Sequence, residues 1–473
     1  MDLLLNPIGW PVELLLWRCN EQVFLRTMTQ KDAALQIFRA ALAAVDPHHC
    51  VERVLGREGD ALTVQQGGGE IRIDLREVDR LHVVGCGKAG APMARAVEEL
   101  VGERISSGLV VVKYGHTLSE ETSPARIRIA EAGHPEPDAA GMSHAKQVVE
   151  ILESASERDL VIALISGGGS ALWPLPVPPV TLEEKIELNR RLLACGADIH
   201  EMNVVRKHVS SIKAGWAARL AHPAQVLVLL ISDVIGDRLD SIASGPFAPD
   251  TTTFGEALEI VEHYGLGTEI PVSIQYHLWN GMAGKVPETP KPGDAAFGRV
   301  THCICASNAQ ALEAARIEAE SMGFQAEVIE RPIDGDVGAA AKAFCQRLGQ
   351  IAEQTPERRV CLIGGGEPTV MLGSSPGRGG RNQQFALASA FEVRGEVGVT
   401  ILSCGSDGTD GPTDAAGAVV DGTTIDRCQS LGLDPCTALE THDAYPLFEK
   451  SGDLVKTGPT NSNVMDIMLG IVG

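Results

Sequence analysis

The feature that most constrains this chain is the alternation of short apolar segments with longer runs of helical periodicity. Leu81–Val84, Leu109–Val112, Leu160–Ile165 and Val226–Ile231 are too short and too rich in β-branched residues for helices, so they read as buried strands. Ser143–Leu152 and Thr181–Cys195 repeat their apolar residues at helical spacing. Strands that are apolar on both faces need helices on both sides, and that requirement predicts an α/β protein with a mainly parallel sheet.

The rhythm breaks at 285–298, where Pro287, Pro290, Pro292 and Gly293 cluster with few large apolar residues. This composition predicts a linker. The pattern restarts with a strand at Val300–Ala306, a helix at Ala309–Met322 and a strand at Phe324–Ile329. A helix at Val337–Ile351, a strand at Val360–Ile363, a helix at Asn382–Phe391 and a strand at Val399–Ser403 follow. Two α/β domains are therefore expected, over 29–284 and 299–473. Ahead of them, Leu3 to Trp17 is apolar but interrupted by Pro7 and Pro11, and it lacks the basic start and small-residue cleavage site of a signal peptide. Residues 1–28 read as an extension before the amphipathic run Ala33–Val45.

Composition then removes whole classes of function. With 62 Asp+Glu against 40 Lys+Arg the formal charge is −22, which opposes extended contact with nucleic acid. No apolar run approaches the ~20 residues that span a bilayer, so no membrane role is expected. The 11 cysteines are scattered without a C-x-x-C pair, as in reduced, cytoplasmic proteins. The 51 glycines suggest many loops that bring backbone close to a small molecule.

Several loops hold residues with chemical potential. Gly85-Cys86-Gly87-Lys88-Ala89-Gly90 satisfies G-x-G-x-x-G between a strand and a helix, where amides and a helix N-terminus can receive phosphate. A dinucleotide site would also need an acid closing the next strand, but Leu109–Val112 ends in Lys113-Tyr114. Lys88 puts a cation inside the turn, which suits a transferring phosphoryl group better than a hydride. Ser166-Gly167-Gly168-Gly169-Ser170 closes another strand as a potential nest of amides. Between Asn203 and Lys213, Arg206, Lys207, Ser210 and Lys213 recur at helical spacings, and Lys207 is assigned to anion binding. Asp233 and Asp237 end one strand, Asp407 and Asp410 another, where carboxylates can hold Mg²⁺ or take a hydroxyl proton. Glu367 ends Val360–Ile363, and Arg378 and Arg381 stand among glycines before a helix, as an anion clamp would. Each of these loops, taken alone, is also readable as an ordinary tight turn or a solvated basic face.

Taken in order, GCGKAG, KYGH, EAGHPEPD, SGGGSAL, GADIHEMNVVRKHVSSIKAG, SDVIGD, IASGPFAPD, GGEPTV, GRGGRNQ, SDGTDGPTDAAGAVVDG and TGPTNSNVMDI resemble the glycerate 2-kinase family, whose C-terminal part is the MOFRL domain. The resemblance runs from about Ala33 to the C-terminus. It implies a Rossmann-like first domain and a smaller second α/β domain containing the MOFRL region at about 358–470. It also implies phosphorylation of D-glycerate at its 2-hydroxyl, with ATP and Mg²⁺, in the cytoplasm. By motif, the family's active-site lysine and arginine fall on Lys88 and Arg381, and we add Asp233 as a candidate proton acceptor. Gly85, Gly87, Gly90, Ser166, Gly167, Gly168, Gly169, Ser170, Lys207, Glu367 and Arg378 are assigned to nucleotide or anion binding, and Asp237, Asp407 and Asp410 to the metal. Relatives labelled hydroxypyruvate reductase suggest an NAD(P)H-dependent alternative, which the missing strand-end acid opposes for NAD and less so for NADP. A non-catalytic metabolite-binding protein is a third reading, and homo-oligomerisation stays open. Trp173 and the run Thr441–Tyr445 depart from the family pattern. Lys88 and Arg381 are both expected to be loop charges with little weight in folding.

Residues before Met28 share neither the periodicity nor the resemblance. Deleting Met1–Thr27 is expected to leave melting temperature and activity nearly unchanged; a large loss of soluble protein would show that Trp10 or Trp17 packs on the folded body.

Overall fold

The computed structural model describes residues 28–372 and 377–473; the expected extension falls almost wholly outside them, and only Met28 is described. The chain forms two compact units. Among the described residues, the larger comprises Val45–Ser307 with Pro459–Val464, and the smaller comprises those of Asn308–Gly458 and Met465–Gly473 together with Met28–Ala44.

In the larger unit, β1 (Leu55–Glu58), β2 (Ala61–Gln66) and β3 (Gly69–Asp74) make a small antiparallel sheet. The main sheet follows with β4 (Leu81–Cys86), β5 (Ile105–Lys113), β6 (Arg128–Ala132), β7 (Leu160–Ile165), β8 (Gln225–Ile231) and β9 (Val300–Ala306). Its order is β6-β5-β4-β7-β8-β9 and every pairing is parallel. Both β4 and β7 are buried along their whole length, as their unbroken apolar sequences require. Helices such as Gly90–Val101 and Ala139–Ser154 supply the cover; the second starts where the Asp138 carboxylate accepts from the Gly141 amide. The chain leaves β4 first toward β5 and β6, then returns to β4's other side as β7. Crevices beyond the carboxyl ends of strands at such a reversal are where doubly wound sheets bind ligands.

The expected linker at 285–298 lies inside this unit, because β9 completes the parallel sheet rather than opening a second domain. Thr289 is buried and donates to the Asp250 carboxylate (2.9 Å), and the Pro290 carbonyl accepts from the Asp250 amide (2.9 Å). Prolines here shape a crossover over the surface, which has the same composition as a free linker. The boundary also shifts at the start, since the helix Gln30–Ala44 belongs to the smaller unit.

The smaller unit has β10 (Gln325–Val328), β11 (Val360–Gly366), β12 (Val399–Gly405), β13 (Gly417–Asp421), β14 (Leu454–Val455) and β15 (Asp466–Val472) in the order β10-β11-β15-β12-β13-β14. The last long strand, β15, runs antiparallel between β11 and β12. Its first residue, Asp466, is thereby brought beside Gly366 and Gly405, at the carboxyl ends of both neighbours. Helices Val337–Gln354 and Arg381–Glu392 close the core around Phe344, Leu348, Phe385 and Leu387. Among the described residues, no helix is long and apolar enough to cross a membrane, and the cysteines are free thiols.

The turn after β4 admits no side chain at Gly87, where φ is 134° and an added Cβ would lie 2.1 Å from Ser166 Oγ and 2.6 Å from Ser166 O. Gly87→Ala is expected to cost more than about 2 kcal/mol in urea unfolding, the range of steric changes in a packed site. Gly59→Ala, with φ 62° but open space around it, should cost only the roughly 1 kcal/mol of left-handed backbone strain. Equal losses would mean that close approach contributes nothing.

Candidate active site

At the reversal of the main sheet, the turn after β4 docks on the loop after β7. Lys88 N–H donates to Gly167 O (2.9 Å), Ala89 N–H to Ser166 Oγ (3.1 Å), and Gly87 N–H to Val111 O (3.1 Å). These amides are already bonded within the protein, so the G-x-G-x-x-G turn is not the phosphate cradle expected from its sequence. Its glycines serve packing instead: a Cβ on Gly85 would meet Leu164 O at 2.5 Å, and one on Gly90 would meet Val110 at 2.6 Å. What the turn presents is the Lys88 side chain, half-buried, with its Cγ 3.6 Å from where a Gly168 Cβ would stand.

The loop Ser166–Ser170 is the better cradle. Gly168 adopts φ 84° and precedes the short helix Gly169–Leu172; the Ser166 and Gly169 amides donate to Cys86 O (3.0 Å) and Ser166 O (3.3 Å), which leaves those of Gly167 and Gly168 for an anion. Asp233, just past the end of β8, packs directly on this loop: a Cβ on Gly167 would lie 2.3 Å from Asp233 Oδ2, which accepts from Asn463 Nδ2 at 3.3 Å. Lys88, Ser166–Ser170 and Asp233 thus share one place. Asp237 lies apart in a left-handed turn (φ 52°) whose amide donates to Val234 O.

Lys207 is a correction to the sequence reading. Its ammonium is buried between Asp250 Oδ1 (3.2 Å) and Asp240 Oδ2 (3.4 Å), so it is neutralised inside the protein and not offered to a ligand. The cations that do line a cavity, of about 410 Å³, are Arg206 and Lys213 from the same segment and Lys185 and Arg190 from the helix Leu182–Ala194. Burial pushes Lys185 down to about 7, with Arg206 adding repulsion, and pushes Lys213 well below its ordinary value, with Lys185 and Arg206 adding to it. Lys185 was missed because its apolar-face position in an amphipathic helix has no motif around it.

The smaller unit gathers its own set at the carboxyl ends of β11 and β12. Arg381, the first residue of its helix, donates Nε to Asp466 Oδ2 (2.5 Å) and Nη2 to Asp466 Oδ1 (3.1 Å) and Glu367 Oε1 (2.7 Å). Burial opposes its charge, but Asp466 and then Glu367 hold the guanidinium above its ordinary value. Arg381 is therefore not an idle clamp awaiting an anion. Arg378 is elsewhere, exposed and stacked on the Tyr445 ring at 3.9 Å. Asp410, assigned to the metal, instead accepts from the amides of Asn382 (3.0 Å) and Gln383 (2.8 Å) and so caps the Arg381 helix. Burial pushes it up to about 6 in spite of those bonds, with the Asp466 charge adding to the shift. Asp407 is half-buried in a turn, accepting from Thr409 N–H (3.0 Å). Asp466 itself went unassigned from sequence; its only signal was the acid opening the last apolar strand of TGPTNSNVMDI.

Comparison with known proteins agrees with this architecture. The model described as a domain of unknown function, DUF4147, matches residues 33–279, and that of the MOFRL family matches 360–466. A glycerate 2-kinase of Pyrococcus horikoshii is 38% identical, over 94% of this chain and 98% of that protein. A protein of Agrobacterium vitis that carries the provisional name hydroxypyruvate reductase is 39% identical, over 93% of both. The crystal structure of a glycerate kinase from Thermotoga maritima superposes with a TM-score of 0.80 at 36% identity, covering 94% of this chain and 99% of that one.

The expectation that Arg381 has little weight in folding also changes. Its side chain is 36% exposed but faces an Asp466 side chain that is 1% exposed. Removing one partner of a buried pair typically costs roughly 3–5 kcal/mol; partial exposure puts Arg381→Ala at the lower end, about 2–3 kcal/mol. Lys88→Ala, at a half-exposed turn, should lose less than about 1 kcal/mol. Denaturant unfolding of both variants checks this, and equal stabilities would remove the ion pair from the folding energetics.

Proposed function

Because the chain belongs to the glycerate kinase family in which a DUF4147 domain is joined to a MOFRL domain, we propose that it transfers the γ-phosphoryl group of ATP to the 2-hydroxyl of D-glycerate in the cytoplasm, giving 2-phosphoglycerate and ADP. The observation that carries this reading furthest is the placement of Lys88 and the Ser166–Ser170 loop together at the reversal of a parallel sheet. Phosphoryl transfer depends on aligning donor and acceptor and on stabilising charge that shifts among phosphate oxygens. Lys88 is assigned to that charge, and the Gly167 and Gly168 amides to the phosphate chain. Asp233, against the same loop, is assigned to the hydroxyl proton of the acceptor.

A nucleotide-bound Mg²⁺ would supply charge neutralisation at the phosphate oxygens, and one or two protein carboxylates would be enough to hold it. Asp407, a partly exposed acid just past the end of β12, fits that role. Asp410 fits poorly, since both its oxygens already accept helix amides. Arg381 is assigned to positioning Asp466 and Glu367 at the ends of β11 and β12. The reductase reading has no comparable support: the amides of its nucleotide turn are occupied, and β5 ends in Lys113.

Steady-state ADP release with saturating ATP and D-glycerate tests the proposal. Lys88→Ala should lower kcat by about two orders of magnitude, roughly the 3 kcal/mol lost with a preorganised electrostatic donor, with an unchanged melting curve. Arg381→Lys should remain badly impaired, since an ammonium cannot hold the two oxygens of Asp466 and Glu367 together. Near-normal kcat in Lys88→Ala would take that residue out of the chemistry. Oxidation of NAD(P)H by hydroxypyruvate without any ADP release would overturn the kinase reading.

A further inference from the structure

Three cations that line one cavity of the larger unit form no ion pair with its carboxylates. Lys185, Arg206 and Lys213 line the 410 Å³ cavity whose rim includes Gly168 and Ser170. Lys185 is fully buried and its Nζ meets no hydrogen-bond partner. Lys213 Nζ donates only to the carbonyl (2.7 Å) and hydroxyl (2.5 Å) of Ser170, and Arg206 Nε donates to Asn189 Oδ1 (2.9 Å). None of the three forms an ion pair among the described residues, in a chain with a formal charge of −22. The carboxylate that does line the cavity, Glu136, is held by Arg190 at 3.0 Å, and both are well exposed. Lys207, only one residue from Arg206, shows the contrast, since it is buried with two acids.

An ammonium withdrawn from water needs acceptors, and a cluster of them needs opposite charge. Lys185 has no acceptor, and no carboxylate among the described residues pairs with any of the three. We infer that the Lys185–Arg206–Lys213 cavity binds an oxyanion group of the substrates, either the carboxylate of the acceptor acid or the phosphate chain of the nucleotide, and that Lys185 contacts it. The inference rests on the kinase reading for the identity of the ligand, but the cluster and its missing counter-charge stand without it. Gly168, which lines this cavity, stands against the Lys88 side chain, so a bound oxyanion would lie next to the proposed chemistry.

The experiment is calorimetric titration of the full chain with sodium sulfate, ADP and D-glycerate, repeated for Lys185→Met. The variant should bind sulfate at least ten-fold more weakly and lose affinity for ADP or for D-glycerate by a similar factor. Loss for D-glycerate identifies the carboxylate as the natural occupant, and loss for ADP the phosphate chain. The ligand-free melting temperature should hold or rise, because a desolvated ammonium without an acceptor has been replaced by a thioether of similar shape. Burial lowers the Lys185 ammonium to about 7, so wild-type affinity for sulfate should fall from pH 6 to pH 9 more steeply than that of the variant. The comparison isolates Lys185 from the other groups facing it: Arg206, Lys213, Arg190, Glu136 and His134. Unchanged binding of all three probes, with a lowered melting temperature, would make Lys185 a packing residue and overturn the inference. A measurement on the wild-type chain guards against misfolding of the variant: sulfate should slow acetylation of Lys185 by limiting acetic anhydride, read by peptide mass spectrometry, and equal rates would refute the site. Sulfate binding that depends on Lys185 in a protein that releases no ADP would keep the site and discard the kinase reading.

Discussion

Everything proposed for the larger unit depends on one contact, the docking of the turn after β4 on the loop after β7. The two strands are neighbours in the sheet, and the chain reverses direction between them, so their carboxyl ends are the place where two loops can meet without a helix intervening. Three amides of the first turn are bonded across or behind that contact, to Gly167 O, Ser166 Oγ and Val111 O. A turn with its amides occupied cannot offer them to a phosphate. It can hold one side chain rigidly, and that side chain is Lys88. The glycines that resemble a nucleotide fingerprint are needed here because backbone meets backbone at distances no Cβ allows.

Charge is distributed on the same logic. A chain this acidic can neutralise nearly any cation it buries, and it does so for Lys207 with Asp240 and Asp250, and for Arg381 with Asp466 and Glu367. Lys88 is half-buried in the turn after β4. Lys185 and Lys213 belong to neither group, and burial holds both well below their ordinary proton affinity. Buried cations without a counter-charge oppose folding, so their presence is better explained by what they bind than by what they stabilise.

The sheet strands were legible because a strand buried on both faces leaves an unbroken apolar run, and Leu160–Ile165 was read with its observed limits. The loops after β4, β7 and β8 were legible as glycine and acid at strand ends. Domain limits were not, since prolines in a packed crossover have the composition of prolines in a linker; only pairing between β8 and β9 distinguishes them. Roles inside the basic segment were equally hidden. Helical spacing places Arg206, Lys207 and Lys213 close together, but whether each meets an acid is decided by Asp250 and Asp240, more than thirty residues away in sequence from Lys207. Long-range neutralisation has no local signature.

Asp466 shows how topology alone can create a site. Nothing within its own segment recommends it, yet an antiparallel β15 inserted between β11 and β12 delivers its first residue to the ends at which Glu367 and Asp407 also stand. Had β15 run parallel to its neighbours, its other end would occupy that position and Arg381 would face only Glu367. The guanidinium then bridges two acids that would otherwise repel each other, which fixes both carboxylates and the start of the helix that Asp410 caps. A residue with that geometry serves folding and positioning together, so its loss cannot be read as chemistry until the stability of the variant is known. Lys88, held by backbone bonds that do not involve its ammonium, is the cleaner probe of charge in this enzyme.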